Sequence, residues 1–256
     1  MPNSHGRFAW HELITTDADA AKAFYPPIMS WTVEPLVDEP NYALLLNDGV
    51  AIGGVMPLIG ALESRGVPVH WLPYVQVYDV DECARQVVTL GGQVRMPPKE
   101  VPTVGCWAVI ADPQGAVIGV YEPASNEPVK AGPPRRGDFS WHDLATTDYK
   151  AATDFYRALF RWETIQDHDM GPMGIYRLFG QKGVQYGGMF NKPPQISTPN
   201  WLSYVRVDDV KQKAQQVEQL GGKIMVPPME VPGGDWIAQC VDAQGAMFAL
   251  HTPKAS

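Results

Sequence analysis

The sequence predicts an α+β chain made of two tandem copies of one domain, and three observations carry the prediction. Residues 8–25 read FAWHELITTDADAAKAFY and residues 139–156 read FSWHDLATTDYKAATDFY, with eleven of eighteen aligned positions identical. Two further blocks repeat at nearly the same offset, WLPYVQVYDV…LGGQVRMPPKEVP from Trp71 with WLSYVRVDDV…LGGKIMVPPMEVP from Trp201, and DPQGAVIGVYEP from Asp112 with DAQGAMFALHTP from Asp242. A repeat sustained over three blocks marks a duplicated domain. Within each copy, strand-like runs end at an aspartate and give way to apolar residues at helical spacing, and this happens twice. Each helical run is followed by about three short β-like runs separated by Gly and Pro. The unit is strand, helix, then three strands, two units to a copy, with helices covering one face of antiparallel-rich sheets.

Taken in order, the first strand runs from Phe8 to Thr15, and Thr16 or Asp17 suits the N-cap of a helix carrying Ala20, Ala21, Phe24 and Tyr25. Short runs at Tyr42–Leu46 and Val50–Met56 follow. The second unit starts with the alternating Tyr74-Val75-Gln76-Val77, passes Asp79-Val80-Asp81, and enters a helix with Cys83, Ala84, Val87, Val88 and Leu90 on its apolar side. Gly91-Gly92 stops it, because glycine takes the left-handed conformation past a helix end without steric cost. Trp107–Ile110 and Ala116–Tyr121 close the copy, and Val210, Ala214, Val217, Leu220 and Gly221-Gly222 repeat the second helix. Copy one spans 1–123, a Pro/Gly-rich linker 124–136, and copy two 137–256; Arg135-Arg136 reads as solvated linker charge.

Composition narrows the function classes. A net charge of −8 argues against nucleic acid or an anionic membrane as partner. The most apolar stretch, Val50–Leu62, is broken by Gly53, Gly54, Pro57 and Gly60, so no membrane span is expected. Three scattered cysteines (Cys83, Cys106, Cys240) and an N-terminus with no apolar signal core predict a reduced, cytoplasmic protein.

The strand-ending Asp17, Asp79, Asp148 and Asp209, the helical Phe24-Tyr25 and Phe155-Tyr156, the Leu-Gly-Gly at 90–92 and 220–222, and the closing Asp112-Pro-Gln-Gly and Asp242-Ala-Gln-Gly resemble the vicinal oxygen chelate superfamily. That group includes glyoxalase I, extradiol dioxygenases and bleomycin-resistance proteins, and tandem glyoxalase/bleomycin-resistance-like proteins are the nearest in pattern. The resemblance covers nearly the whole chain and implies that paired βαβββ modules form a half-open barrel around a ligand cavity, one per copy.

The resemblance also implies four metal-ligand positions, normally His, Gln or Glu. The first falls on Trp10 and Trp141, the third on Leu72 and Leu202, and the last on Gly119 and Ala249. His11 and His142 are one step out of register and face the helix side with Leu13 and Leu144. His70 is a displaced candidate with Asn200 as its counterpart, and Gln185 is the one donor near the remaining position. Apolar side chains cannot coordinate a divalent cation, so no cofactor is predicted, and Zn, Ni, Mn or Fe belongs only to the alternative below.

Strand alternation lines the first cavity with Trp10, Glu12, Tyr74, Gln76, Val117 and Tyr121, and the second with Trp141, Asp143, Asn200, Tyr204, Arg206, Met247 and His251. Such aromatic faces with one carboxylate per site suit a small, planar organic ligand. Asp143, His251 and Arg206 are candidates for a base, an acid and an anion clamp. The sequence therefore predicts a metal-independent small-molecule binding protein of sequestration or resistance type. The alternative is a glyoxalase-like lyase, isomerase or dioxygenase with unusual site residues. Because a fused pair can complete its own cavities, the chain reads as a monomeric pseudo-dimer or a homodimer.

Overall fold

The computed structural model describes residues 4–36, 39–102, 104–124 and 132–254, so most of the linker's first half lies outside the described residues. The first module holds β1 (Phe8–Thr15), α1 (Ala18–Met29), β2 (Thr32–Leu36), β3 (Glu39–Asn47), β4 (Val50–Pro57) and the single turn α2 (Ala61–Ser64). The second holds β5 (His70–Gln76), α3 (Val80–Thr89), β6 (Gln93–Val101), β7 (Gly105–Ala111) and β8 (Val117–Pro123). The third holds β9 (Phe139–Thr146), α4 (Tyr149–Phe160), β10 (Glu163–Asp169), a 3-10 turn, β11 (Ile175–Gln181) and β12 (Val184–Asn191). The fourth holds β13 (Asn200–Arg206), α5 (Val210–Gln219), β14 (Lys223–Glu230), β15 (Trp236–Val241) and β16 (Met247–Thr252).

Each of the four long helices starts at an aspartate for the same reason. Asp17, Asp79, Asp148 and Asp209 sit in extended backbone, and their carboxylates accept N–H groups that the first helical turn leaves open, at 2.7–3.1 Å. Between Thr16 and Asp17, the aspartate is the cap. Gly91 and Gly221 end α3 and α5 at φ +83° and +90°, the left-handed conformation anticipated for them.

Every module repeats one strand pattern: an antiparallel meander whose last strand returns parallel to the first. His11 is opposite Gly53, Tyr74 opposite Gly119, His142 opposite Gly187 and Tyr204 opposite Ala249 in these parallel pairs. The strands form two eight-stranded mixed sheets, ordered β2-β3-β4-β1-β5-β8-β7-β6 and β10-β11-β12-β9-β13-β16-β15-β14. Among the described residues, no helix is long and apolar enough to cross a membrane.

Compactness follows a different division from the repeat. One unit gathers Met1–Ala9, Pro73–Gly132 and His142–Trp201; the other gathers Trp10–Leu72, Pro133–Trp141 and Leu202–Ser256. Each unit thus draws on both copies. In the first unit, Val75, Val87, Ile110 and Ile118 from copy one share a core with Tyr156, Phe160, Trp162 and Phe179 from copy two. In the second, Leu13, Ile28 and Leu45 from copy one share a core with Val217, Phe248 and Leu250 from copy two.

A buried polar chain lies in each core. In the second unit Trp71 Nε1–H donates to the Tyr25 hydroxyl at 2.9 Å, and that hydroxyl donates to Asp242 Oδ2 at 2.7 Å. In the first unit Trp201 donates to Tyr156 at 3.2 Å and Tyr156 to Asp112 at 3.1 Å. The Phe-Tyr pair of one copy's helix therefore meets the closing turn of the other copy. Arg135 and Arg136, read from sequence as solvated, are partly tied down: Arg135 reaches Asp138 and Asp48, Arg136 reaches Asp208, and the Arg136 carbonyl accepts from Asn47.

Candidate functional site

The positions that strand alternation puts on one face with Trp10 and Trp141 are held by one recurring arrangement in the two units. In the second unit, β1 presents Trp10 and Glu12, and β3 brings Tyr42 onto them. Trp10 Nε1–H donates to the Tyr42 hydroxyl at 3.2 Å, and Tyr42 hydrogen-bonds the Glu12 side chain. Burial, with the Glu12 charge added, pushes this phenol far above its ordinary range, so it stays a neutral donor. The ring lies over Gly54, where an ideal Cβ would stand 2.0 Å from the Tyr42 hydroxyl.

The same device appears in the first unit. Tyr176 donates to Asp143 Oδ1 at 2.6 Å, and its ring lies over Gly188, where a Cβ would approach Cζ to 1.9 Å. Tyr74 lies over Gly119 in the same way, 2.2 Å from an ideal Cβ. The sequence names Glu12, Asp143 and Tyr74 among its site candidates, and not Tyr42 or Tyr176. The available signal was that each stands twelve residues before the second glycine of a Gly-Gly pair.

These contacts bear on whether the residues fit a divalent cation. At Gly119, one of the positions where the family resemblance implies a ligand, there is no donor, and the Tyr74 ring fills the space above it. Among the described residues, no group of three or more His, Cys, Asp or Glu side chains could hold a metal ion. His11 stacks on Phe139 with centroids 3.5 Å apart, and His142 stacks on Phe8 at 3.6 Å. Both histidines are buried, on the face that carries Leu13 and Leu144. His70 Nδ1 is 2.8 Å from the Pro68 carbonyl, and Gln185 is exposed. Among the described residues, the donor set at these positions does not fit a metal.

Burial drives His142 down to about 3 from its ordinary 6.5, although the Tyr186 carbonyl pulls it back up. A folded value below the unfolded one means this stabilisation is complete above about pH 6.5 and is lost as pH falls toward 3. By pH 5 the loss from this residue alone is roughly 2 kcal/mol. Urea midpoints of the wild-type protein should drop between pH 7 and 5, and His142→Phe should flatten that slope. An unchanged slope in the variant would exclude His142 as its source.

The remaining predicted site residues fall as follows. Tyr121 donates to the Val104 carbonyl at 2.9 Å and Gln76 is buried, both in the first unit. Asn200 donates to the Thr198 carbonyl at 3.0 Å. In the second unit Trp141 packs with Leu202, Tyr204, Ala249 and Ile237, and Gln239 donates to the Tyr204 hydroxyl at 3.1 Å. Arg206 and His251 are register partners across β13 and β16, and Arg206 Nη1 donates to the Pro134 carbonyl. Asp143 belongs to the first unit, where Tyr176 holds it. His251 is bracketed by two groups that the sequence did not single out: its Nδ1 is 2.9 Å from Ser140 Oγ and its Nε2 is 3.0 Å from Asp235 Oδ2. Burial raises Cys83 and Cys240 to about 12, which makes them poor nucleophiles.

The description "Glyoxalase/Bleomycin resistance protein/Dioxygenase superfamily" matches residues 139–250. A protein of Mycobacterium tuberculosis (strain CDC 1551 / Oshkosh) named "Putative glyoxylase CFP32" is 31% identical over 253 residues, covering 95% of this chain and 94% of that protein. The chain belongs to the glyoxalase/bleomycin resistance/dioxygenase superfamily. Among other superfamily relatives, the anthracycline biosynthesis protein DnrV of Streptomyces peucetius is 28% identical over 265 residues, covering 96% of this chain and 92% of that protein. In fold, the Mn(II)-bound glyoxalase from Novosphingobium aromaticivorans superposes with a TM-score of 0.68 at 16% identity, over 98% of this chain and 83% of that one. The 2,3-dioxygenase LapB from Pseudomonas sp. KL28 gives 0.69 at 9% identity, over 100% and 94%.

Proposed function

We propose that this superfamily member binds a planar, hydroxylated organic molecule without a metal at the family's ligand positions. The observation that carries the reading is the phenol–carboxylate pair set over a glycine, Tyr42 with Glu12 over Gly54 and Tyr176 with Asp143 over Gly188. An aromatic ring and a polar edge recognise a ring system through its face and its hydroxyl groups. The name of the relative DnrV, an anthracycline biosynthesis protein, supports a polycyclic quinone as the ligand class. The net charge of −8 fits a small-molecule partner better than nucleic acid, and the duplication fits a monomeric pseudo-dimer or a homodimer in the cytoplasm.

The test has two arms on the untagged protein. After exposure to Zn, Ni, Mn and Fe and then desalting, elemental mass spectrometry should find no retained metal. A titration with hydroxylated anthraquinones should quench tryptophan fluorescence saturably, with Tyr42→Phe weakening binding about fivefold through loss of one hydrogen bond. One tightly held metal per copy, or no quenching by any member of the panel, would overturn the reading. The name of CFP32 favours a second reading, a glyoxalase-type lyase. Turnover of a glutathione hemithioacetal that depends on Asp143 would establish it.

A further inference from the structure

We propose that Ser140 is an acylatable nucleophile, activated by His251 and Asp235, which gives the second unit an acyl-transfer activity toward small esters. All three residues belong to that unit. Ser140 is the second residue of β9, His251 lies near the end of β16, and Asp235 stands immediately before β15. Two glycines at φ +110° and +94° swing the chain into that position, and Asp235 Oδ1 accepts the Lys254 N–H at 2.8 Å.

Hydrogen-bond logic fixes the direction of the relay. A carboxylate only accepts, so Asp235 takes the His251 Nε2–H at 3.0 Å, which leaves Nδ1 with its lone pair. Nδ1, 2.9 Å from Ser140 Oγ, therefore accepts the serine proton, and the alternative acceptor, the Tyr204 carbonyl, is farther away at 3.4 Å. Desolvation opposes ionisation of Asp235, but the Lys254 N–H and His251 outweigh it and hold the carboxyl below its ordinary range. Nucleophile, base and orienting carboxylate thus stand in the order that activates a hydroxyl. Arg206, the register partner of His251, adds positive charge that helps keep Asp235 ionised.

The first copy acts as an internal control. Its equivalent positions by strand register are Ala9, Tyr121 and Gly105, and Tyr121 spends its hydroxyl on the Val104 carbonyl. All three members of the relay are absent there together. A single hydrogen bond made by chance gives no reason for that joint difference, whereas one shared task in copy two does.

The step balances without a cofactor. Ser140 Oγ attacks the ester carbonyl carbon as its proton passes to His251 Nδ1. The carbonyl–oxygen bond to the leaving group breaks, and the proton goes to the leaving oxygen. Water repeats the sequence on the acyl-serine and frees the acid.

The test uses the full chain and p-nitrophenyl acetate. Wild type should release a burst of one nitrophenolate per chain, and peptide mass spectrometry should place one acetyl group on Ser140. Ser140→Ala should lose the burst and the adduct, while Ser140→Cys should carry the acetyl group at the same position. His251→Gln should slow acylation at least a hundredfold. Asp235→Asn should lower kcat tenfold or more with KM little changed, and Asp235→Glu should recover part of it, which a purely structural role would not produce. Unfolding midpoints confirm that each variant is folded. No burst, an acetyl group on another residue, or an unchanged rate in Ser140→Ala would overturn the assignment.

Discussion

Replacing Asp242 by alanine is expected to destabilise the protein by about 3–5 kcal/mol, a large share of the stability of an ordinary domain. Asp242 is 4% exposed. Its Oδ1 accepts the backbone N–H groups of Gln244, Gly245 and Ala246 at 3.0, 2.8 and 2.8 Å, and its Oδ2 accepts the Tyr25 hydroxyl at 2.7 Å. Removing the carboxylate strands the Gln244 and Ala246 N–H groups and the Tyr25 hydroxyl, while the Gly245 N–H keeps the residue 242 carbonyl at 3.2 Å; a buried donor without an acceptor costs its full desolvation. Tyr25→Phe leaves the backbone bonds intact but removes one donor to Asp242 and orphans the buried Trp71 N–H, so its cost should be smaller, about 2–3 kcal/mol. Chemical denaturation of both variants checks the order. Equal losses would mean that the Tyr25 bond, not the turn, carries the effect.

Two adjacent glycines should part company just as sharply. A Cβ on Gly187 would meet the His142 carbonyl oxygen at 1.7 Å, which is backbone and cannot swing aside. Gly187→Ala should therefore push β12 off β9 and cost several kcal/mol, enough to unfold a marginal protein. A Cβ on Gly188 meets the far end of the Tyr176 side chain, which can rotate away. Gly188→Ala should stay folded while breaking the Tyr176–Asp143 bond, weakening ligand quenching and not the unfolding midpoint. If Gly188→Ala proved as destabilising as Gly187→Ala, the ring over the glycine would be a structural brace and not a binding surface.

The fold was legible because its signals are local and repeated. Four aspartate caps, Gly-Gly helix ends and alternating strands each follow from a few neighbouring residues, and every one occurs in both copies. Strand parity also put Trp10 with Glu12 on one face, where Tyr42 bonds both. It could not find Tyr42 or Tyr176, because register shifts at Leu45/Leu46 and Phe179/Gly180 break the simple count across β3–β4 and β11–β12. Nor could it find Asp235, which reaches His251 from a loop whose path depends on two positive-φ glycines.

The partner of Tyr25 was beyond sequence reading for a different reason. Asp112 and Asp242 offer the same turn chemistry, so spacing along the chain cannot say which one the tyrosine meets. The choice is made by which helix and sheet share a core, and each core here mixes the copies.

That mixing has a consequence for how the chain is made. Tyr25 and Asp242 are 217 residues apart. At roughly 5–20 residues per second of translation, the first module waits on the order of 10–40 s for the strands that complete its core. During synthesis its apolar helix face stays unsheltered, and contacts of such long range close slowly. Early truncation or a long ribosomal pause before module four would therefore leave the nascent chain in need of a chaperone, however sound its first half looks.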